Sequence, residues 1–396
     1  MYPERLVSGM RPTDKLHLGH YYSVLQEWRR LQSEQSCLFF IADWHALGGE
    51  VEACARMEKH TRDMLLDWLA AGIDPTQATL FIQSEVPEHA ELQLLLAMAT
   101  PANWLDLSEA AQDGSFANLA YVLLQAADAL IYRASHVAMY ENQSAQLEMM
   151  REIARRFNHL FGSEKDFEEK AESAVKKLGS KRARLYAELR TAYQQEGRAG
   201  ALEQAKAMLD EAQNLSMIDR ERLFGYLEGS RKLILVEPEV SLLPQSSLPG
   251  LDGQRMQSRQ ANVICLREDA ANVERKVRAM PTDPARVSRS DPGAPDKCPV
   301  WPLHQAFSPQ QQCGDVRAGC MRAVIGCVDC KQQLAANIIA AQAPLHEAVQ
   351  TYLDDPSLLR AITADGAEHA RKLARETLRD VREAMGLQYQ FAGAPL

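Results

Sequence analysis

Ser8-Gly9-Met10-Arg11-Pro12-Thr13-Asp14-Lys15-Leu16-His17-Leu18-Gly19-His20 is the stretch on which the reading of this chain turns. The apolar pair Leu6-Val7 precedes it, and Gly9 and Pro12 punctuate a turn inside it. From Tyr21 onward Val24, Leu25, Trp28 and Leu31 recur at helical spacing. His17, Gly19 and His20 therefore stand where a strand hands over to a helix N-terminus. Free N–H groups and the helix dipole favour an anion such as phosphate there. A glycine permits close approach of a ligand to the backbone, and two imidazoles donate hydrogen bonds to phosphoryl oxygens.

Outward from this stretch, apolar runs alternate with amphipathic ones. Cys37–Ala42 is a continuous apolar run of the kind found in a buried parallel strand. It ends in Asp43-Trp44-His45, polar groups at a strand's carboxyl end, where open α/β sheets place ligands. Arg56–Ala71 reads as an amphipathic helix, Ala78–Ile82 as a strand and Glu91–Ala99 as a helix, with loop and short helical pieces over Pro101–Phe116. The alternation predicts a doubly wound parallel α/β sheet. A G-x-G-x-x-G is missing, which weakens a dinucleotide-dehydrogenase reading.

Ala120–Tyr132 is an apolar helix with Asp128 inside it, costly unless the carboxylate has a partner. Arg133 is one partner within reach, and the donor-only N–H of an indole ligand is another. Val137–Gln143 reads as a strand-to-helix junction. Residues 161–232 are rich in Ala, Glu, Lys, Arg and Leu and predict inserted helices, and Leu233–Val236 predicts a return to strand. Lys176, Lys177, Lys181, Arg182 and Arg184 read either as a solvated face or as contacts to RNA phosphates. Pro249–Asn262 is a polar glycine-containing loop with cations at Arg255 and Arg259. Cys298, Cys320, Cys327 and Cys330 include a close C-x2-C pair, and four thiolates so arranged hold zinc or a [4Fe–4S] cluster, zinc being favoured by spacing alone. Cys313 fits no ligand slot. The last helix, Asp365–Met385, has an apolar seam and separate faces carrying Arg371, Lys372, Arg375, Arg379 and Arg382.

The totals bound these readings. A chain of 396 residues has room for two or three domains, and 46% hydrophobic with 24% charged content is that of a soluble globular protein. No apolar run reaches membrane-spanning length and no signal-peptide pattern opens the chain, so a cytoplasmic protein is expected. A net charge of −9 argues against wrapping duplex DNA while leaving room for a local basic face toward RNA. Eight cysteines in such a chain are not expected as disulfides.

Taken together, "SGMRPTDKLHLGHY", "ADWHAL", "LLQAADALIY", "PGLDG" with Met256, and "MPTDPARV" resemble the bacterial tryptophanyl-tRNA synthetases, and the first of them resembles the HIGH signature of class I aminoacyl-tRNA synthetases. The resemblance runs along nearly the whole chain. It implies a Rossmann-like catalytic domain (1–160 and 233–270), a helical insertion (161–232) and a helical anticodon-binding domain (271–396). It implies ATP-dependent activation of tryptophan and its transfer to tRNA, with magnesium accompanying ATP, in a homodimer with neither membrane nor DNA as partner. His17, His20, Arg255 and Arg259 are then the catalytic residues. Gly9, Met10, Arg11, Thr13, Gly19, Tyr140, Asn142, Met256 and Ser258 fall at ATP-binding positions. His45, Tyr121, Gln125, Asp128, Val137, Met139 and Gln143 fall at tryptophan-binding positions, Asp128 receiving the indole nitrogen. For the four cysteines the resemblance reverses the preference, towards [4Fe–4S].

The sequence also departs from that family. Tyr140 and Asn142 replace the glycine and aspartate of "GEDQ", Arg255 and Ser258 replace the lysines of "KMSKS", and Asp14 replaces a glycine. These departures leave open an alternative, a paralogue with impaired adenylation that binds tryptophan or tRNA for another purpose.

Overall fold

The computed structural model describes residues 4–47, 54–105, 116–162, 166–198, 200–229, 233–244 and 248–389. Most of the loop expected between Pro101 and Phe116 lies outside these residues, as does Lys232. Five strands, β1 (Arg5–Met10), β2 (Ser36–Ile41), β3 (Ala78–Ile82), β4 (His136–Met139) and β5 (Glu239–Leu242), form a sheet in the order β3-β2-β1-β4-β5. β1 runs parallel to β4, with Leu6 opposite His136, and β2 runs parallel to β3, from Cys37 opposite Ala78 to Ile41 opposite Ile82. Residues 37–41 are all buried, which is why both faces of β2 are apolar. The chain moves outward from β1 to β3 and returns on the other side of β1 at β4. That reversal is the switch point of a doubly wound sheet, beside whose strand carboxyl ends ligands bind.

By contact the chain divides into two compact units, one of Met1–Ser8, Glu85–Ser241 and Ala367–Leu396, the other of Gly9–Ser84 and Leu242–Gly366. In the second, Trp28 stacks on Phe39 with ring centroids 4.1 Å apart and meets Trp68 edge-on at 5.1 Å. The amphipathic helix Met57–Ala70 contributes Met64, Leu65, Trp68 and Leu69 to this core. Among the described residues no helix is long and apolar enough to cross a membrane.

In the first unit, helix Ser144–Phe161 buries Leu147, Met150, Ile153, Ala154 and Phe157 at helical spacing. Helices Phe167–Lys177, Ser180–Gln194, Gly200–Asp210 and Met217–Glu228 share a core of their own around Ala174, Tyr186, Leu189, Ala205, Leu223 and Leu227. Helix Ser357–Ala384 buries the seam Ala367, Ala370, Ala374, Leu378 and Val381. Its arginines have protein partners. Arg371 and Arg375 pair with Glu88 at 3.1 and 2.9 Å, and Arg382 pairs with Glu91.

One expected strand is absent. Leu233–Val236 is buried at Ile234 and Leu235 but is not in the sheet, whose fifth strand is the more polar Glu239–Leu242. The reason is a side chain that does a strand's work. Asn158 Oδ1 accepts from the N–H groups of Ile234 (2.9 Å) and Leu235 (3.0 Å), and its Nδ2 donates to Leu235 O (2.8 Å). Removing this amide leaves three buried backbone groups unpaired, at about 1–3 kcal/mol each before relaxation. Asn158→Ala is therefore expected to lower unfolding stability by about 3 kcal/mol, read as a shift in the urea midpoint at unchanged slope. A shift below about 0.5 kcal/mol would contradict this account.

Candidate active site

Within the unit Gly9–Ser84 and Leu242–Gly366 a cavity of about 330 Å³ is lined on one side by Met10, Arg11, residues 13–17 and His20, and on the other by residues 255–258. Two segments distant in sequence meet there because their backbones pair. Leu18 N–H donates to Ile264 O at 3.0 Å and Leu266 N–H donates to Leu16 O at 2.8 Å, with His17 opposite Cys265 in an antiparallel bridge. Asp67 braces the same joint, accepting from Arg267 Nε at 2.6 Å and from the Leu16 backbone. Burial pushes its carboxyl up to about 6 against the pull of Arg267.

His17 caps the first helical turn in an extended conformation, and its backbone N–H donates to His20 Nδ1 at 3.3 Å. The two rings stack with centroids 3.7 Å apart. A five-residue π-helical turn, Tyr21–Leu25, follows directly, and Ser23 Oγ donates back to Gly19 O at 2.8 Å. Burial, then the His20 ring and the Arg255 charge, pushes His17 down to about 3. Burial, then Arg255, pushes His20 down to about 4 although Asp14 opposes. Both imidazoles are neutral at pH 7. Each offers one N–H to an oxyanion, while Arg11, Lys15 and Arg255 carry the positive charge of the cavity. His17 Nδ1 is buried with no hydrogen-bond partner among the described residues, a group left unmet by the protein. Gly9 has a packing reason of its own. A Cβ there would lie 2.4 Å from the Phe40 ring of β2.

The loop opposite is shaped by Asn262, which is 4% exposed and was not singled out from the sequence. Its Nδ2 donates to Asp252 Oδ1 (2.8 Å) and Arg255 O (3.0 Å), and its Oδ1 accepts from Gln257 N–H (2.8 Å). Arg255 is exposed, Met256 is buried and Ser258 half-buried. The Arg259 side chain lies outside the described part of the structure. His45, in the short helix Asp43–Ala46 after β2, is buried in the same unit.

The other unit holds the remaining predicted residues. Helix Phe116–Leu130 sets Tyr121, Gln125 and Asp128 at i, i+4 and i+7, on one face. Asp128 is buried, and Oδ1 lies 2.6 Å from His89 Nδ1, whose Nε2 lies 2.6 Å from Tyr132 OH. The partner expected within the protein, Arg133, instead donates to Ile234 O and pairs with Asp380 at 2.5 Å. Val137 and Met139 are buried on β4. Tyr140 has φ −80° and ψ 156°, an ordinary extended conformation, so no backbone strain attends the loss of the family's glycine. Gln143 Oε1 accepts from the Tyr140 N–H at 2.9 Å, and Asn142 is exposed.

The metal centre expected at Cys298, Cys320, Cys327 and Cys330 is not marked by the placement of these side chains. Among the described residues no three His, Cys, Asp or Glu side chains are placed to hold one ion. Two of the thiols have polar side-chain neighbours. Cys330 Sγ lies 3.3 Å from His304 Nε2, and Arg286 Nη1 lies 3.8 Å from Cys320 Sγ. Cys327 and Cys330 open helix Cys327–Ala348, whereas Cys320 stands in the last turn of helix Gln310–Met321 and Cys298 just before helix Trp301–Phe307. All four are free, and burial together with the three neighbouring thiols pushes Cys330 up to about 12. Cys313 donates to the carbonyls of His304 and Ser308, a spare thiol as read.

The depressed histidines predict an acid dependence of stability. Their folded values of about 3 and 4 lie below the ordinary 6.5, so between those limits the unfolded chain binds more protons. Their contribution is complete above pH 6.5 and is lost as pH falls through about 4 and then about 3. The urea midpoint is expected to fall between pH 7 and 5, and to fall less in the double variant His17→Asn, His20→Asn. Equal falls would contradict the assignment.

The chain resembles known proteins along most of its length. The family described as class I tRNA synthetases (W and Y) matches residues 2–184 and 221–342, which takes in both sides of the cavity. A tryptophan–tRNA ligase of Ralstonia nicotianae is 58% identical over 399 aligned positions, covering 98% of this chain and all of the relative. The tryptophan–tRNA ligase of Thermotoga maritima is 34% identical, over 97% of this chain and all of its own length. The tryptophanyl-tRNA synthetase of Campylobacter jejuni, solved with ADP and tryptophan, shares the fold with a TM-score of 0.74 at 20% identity, covering 96% of this chain and 99% of that one. With a full-length relative at this identity and the family match on both sides of the cavity, the chain belongs to the bacterial tryptophanyl-tRNA synthetases of class I.

Proposed function

We propose that this chain activates tryptophan with ATP and transfers the tryptophanyl group to a tRNA. The observation that carries the reading is the single cavity in which two neutral, stacked imidazoles face Arg255 across a backbone-paired joint, with His17 Nδ1 unmet. A tryptophan carboxylate oxygen attacks the α-phosphorus of ATP. The bond to the bridging oxygen breaks, and pyrophosphate leaves with the electron pair. A ribose hydroxyl of the tRNA terminus then attacks the tryptophanyl carbonyl, and AMP departs.

The first step needs positioning and electrostatic stabilisation rather than covalent help. His17 and His20 donate hydrogen bonds to α-phosphoryl oxygens without adding charge. Arg255, with Arg259, supports the leaving pyrophosphate. Gly9, Met10, Arg11, Thr13, Gly19, Met256 and Ser258 are assigned to ATP, as are Tyr140 and Asn142. Magnesium bound to ATP supplies further charge neutralisation. Tyr121, Gln125, Asp128, Val137, Met139 and Gln143 are assigned to tryptophan, as is His45, with Asp128 accepting the indole N–H. The helices of 161–232 are assigned as an insertion in the catalytic domain and 271–396 as the anticodon-binding domain of a cytoplasmic homodimer. The relative at 58% identity is itself a tryptophan–tRNA ligase, which favours this reading over a chain withdrawn from adenylation.

For the four cysteines we propose a [4Fe–4S] cluster. The four thiols share one neighbourhood without converging on a point, as suits a centre in which each binds a different iron. Gly293 leaves room for Cys320, since a Cβ there would sit 2.5 Å from its Sγ, and the Arg286 guanidinium supplies positive charge beside it. When bound, such a cluster would join the segments that carry the thiols; none of the steps above uses it.

Tryptophan-dependent ATP–pyrophosphate exchange tests the function. Robust exchange is expected from the wild type, with kcat about 100-fold lower in Arg255→Ala. Tryptophan binding without exchange would overturn the reading in favour of a non-adenylating paralogue. Iron and sulfide analysis of anaerobically purified protein is expected to give about four of each per chain, a ratio a zinc-only preparation would refute.

A further inference from the structure

We propose that His89 is a positioning residue for tryptophan selection, holding the Asp128 carboxylate in one orientation as the acceptor for the indole N–H. The inference rests on the assignment of Asp128 made above. His89 comes from helix Glu88–Ala99, is 0% exposed, and is wedged between Asp128 and Tyr132, which lie four residues apart and therefore on one side of their segment. Its Nδ1 is 2.6 Å from Asp128 Oδ1 and its Nε2 2.6 Å from Tyr132 OH, and the Tyr132 ring meets the imidazole edge-on at 5.3 Å.

The proton order follows from chemistry. Burial, then the charges of Asp128 and Glu88, pushes the Tyr132 phenol well above its ordinary value, so it keeps its proton. Its O–H donates to Nε2, which leaves Nδ1–H to donate to Asp128. A carboxylate has two oxygens and one rotatable bond to its Cβ. Fixing Oδ1 on a ring that cannot itself turn fixes the direction in which Oδ2 accepts.

An ionised Asp128 is acceptor-only. It rewards an N–H and offers nothing to a ring that lacks one. Packing alone does not require this arrangement, because three buried polar groups cost desolvation that an apolar trio of the same volume would avoid. The neighbouring Glu88 carboxylate is held by Arg371 and Arg375.

The test measures exchange kinetics with tryptophan and with its analogue in which sulfur replaces the ring N–H. His89→Gln keeps a polar group near Tyr132 but withdraws the donor from Asp128. Its KM for tryptophan is expected to rise about tenfold, with kcat within about threefold and with KM for the sulfur analogue unmoved. His89→Asn, whose amide N–H takes the place of Nδ1–H, is expected to recover most of the loss. Tyr132→Phe is expected to give a smaller shift in the same direction. A His89→Gln loss that is equal for both substrates, or absent for both, overturns the proposal. Should that variant not fold, an undiminished preference for tryptophan in Tyr132→Phe overturns it instead. Asp128→Ala separates the two readings. If it keeps the wild-type preference for tryptophan over the analogue, the assignment of Asp128 fails; if it loses the preference while both His89 variants keep it, the role of His89 alone fails.

Discussion

The cavity lined by residues 13–17, His20 and residues 255–258 depends on one short antiparallel joint, in which Leu16 and Leu18 exchange backbone hydrogen bonds with Ile264 and Leu266. Without it the histidines of the first helix and the Arg255 cation of the 255–258 loop would be separate features of a long chain. Asp67 makes the joint rigid by gripping both of its strands, the Leu16 backbone on one side and Arg267 on the other. The buried acid is expensive, and its pairing with a guanidinium and a backbone N–H is what makes the burial tolerable.

Charge and neutral hydrogen bonding are divided between different residues of the cavity. The stacked imidazoles are too buried and too close to Arg255 to hold protons at neutral pH, so they donate without charging. Positive charge sits on long, exposed side chains that can follow a phosphate as it moves. The chain is net acidic, at −9, so this local excess of cations is a property of the cavity and not of the surface as a whole.

Much of this was legible in the order of residues. Cys37–Ile41 and Ala78–Ile82 announce themselves because parallel strands are apolar on both faces, and the His17–His20 turn is marked by its glycine and by the helix beyond. Leu233–Val236 misled for the same reason: it is as apolar as a strand, and only the distant Asn158 amide reveals why it is not one. The true edge strand Glu239–Leu242, largely exposed, carries no such signal. Asn262, Asp67 and His89 were invisible because each is a polar residue whose meaning lies in partners far along the chain. The four cysteines show the opposite limit. Their spacing speaks of metal chemistry, whereas the positions of the thiols depend on where three helices begin and end.

The segment from Phe167 to Glu228 carries a consequence for how the chain comes to be folded. Its four helices bury Tyr186, Leu223 and their neighbours almost wholly against one another, through contacts that are short in sequence. β1, by contrast, must wait for β4 at His136, and the cavity must wait for Ile264. Low contact order makes these helices able to condense early during synthesis, while the ends of the sheet are still searching. A bundle that forms in this way shortens the flexible chain between β4 and β5 and lowers the loop-closure entropy of bringing those strands together.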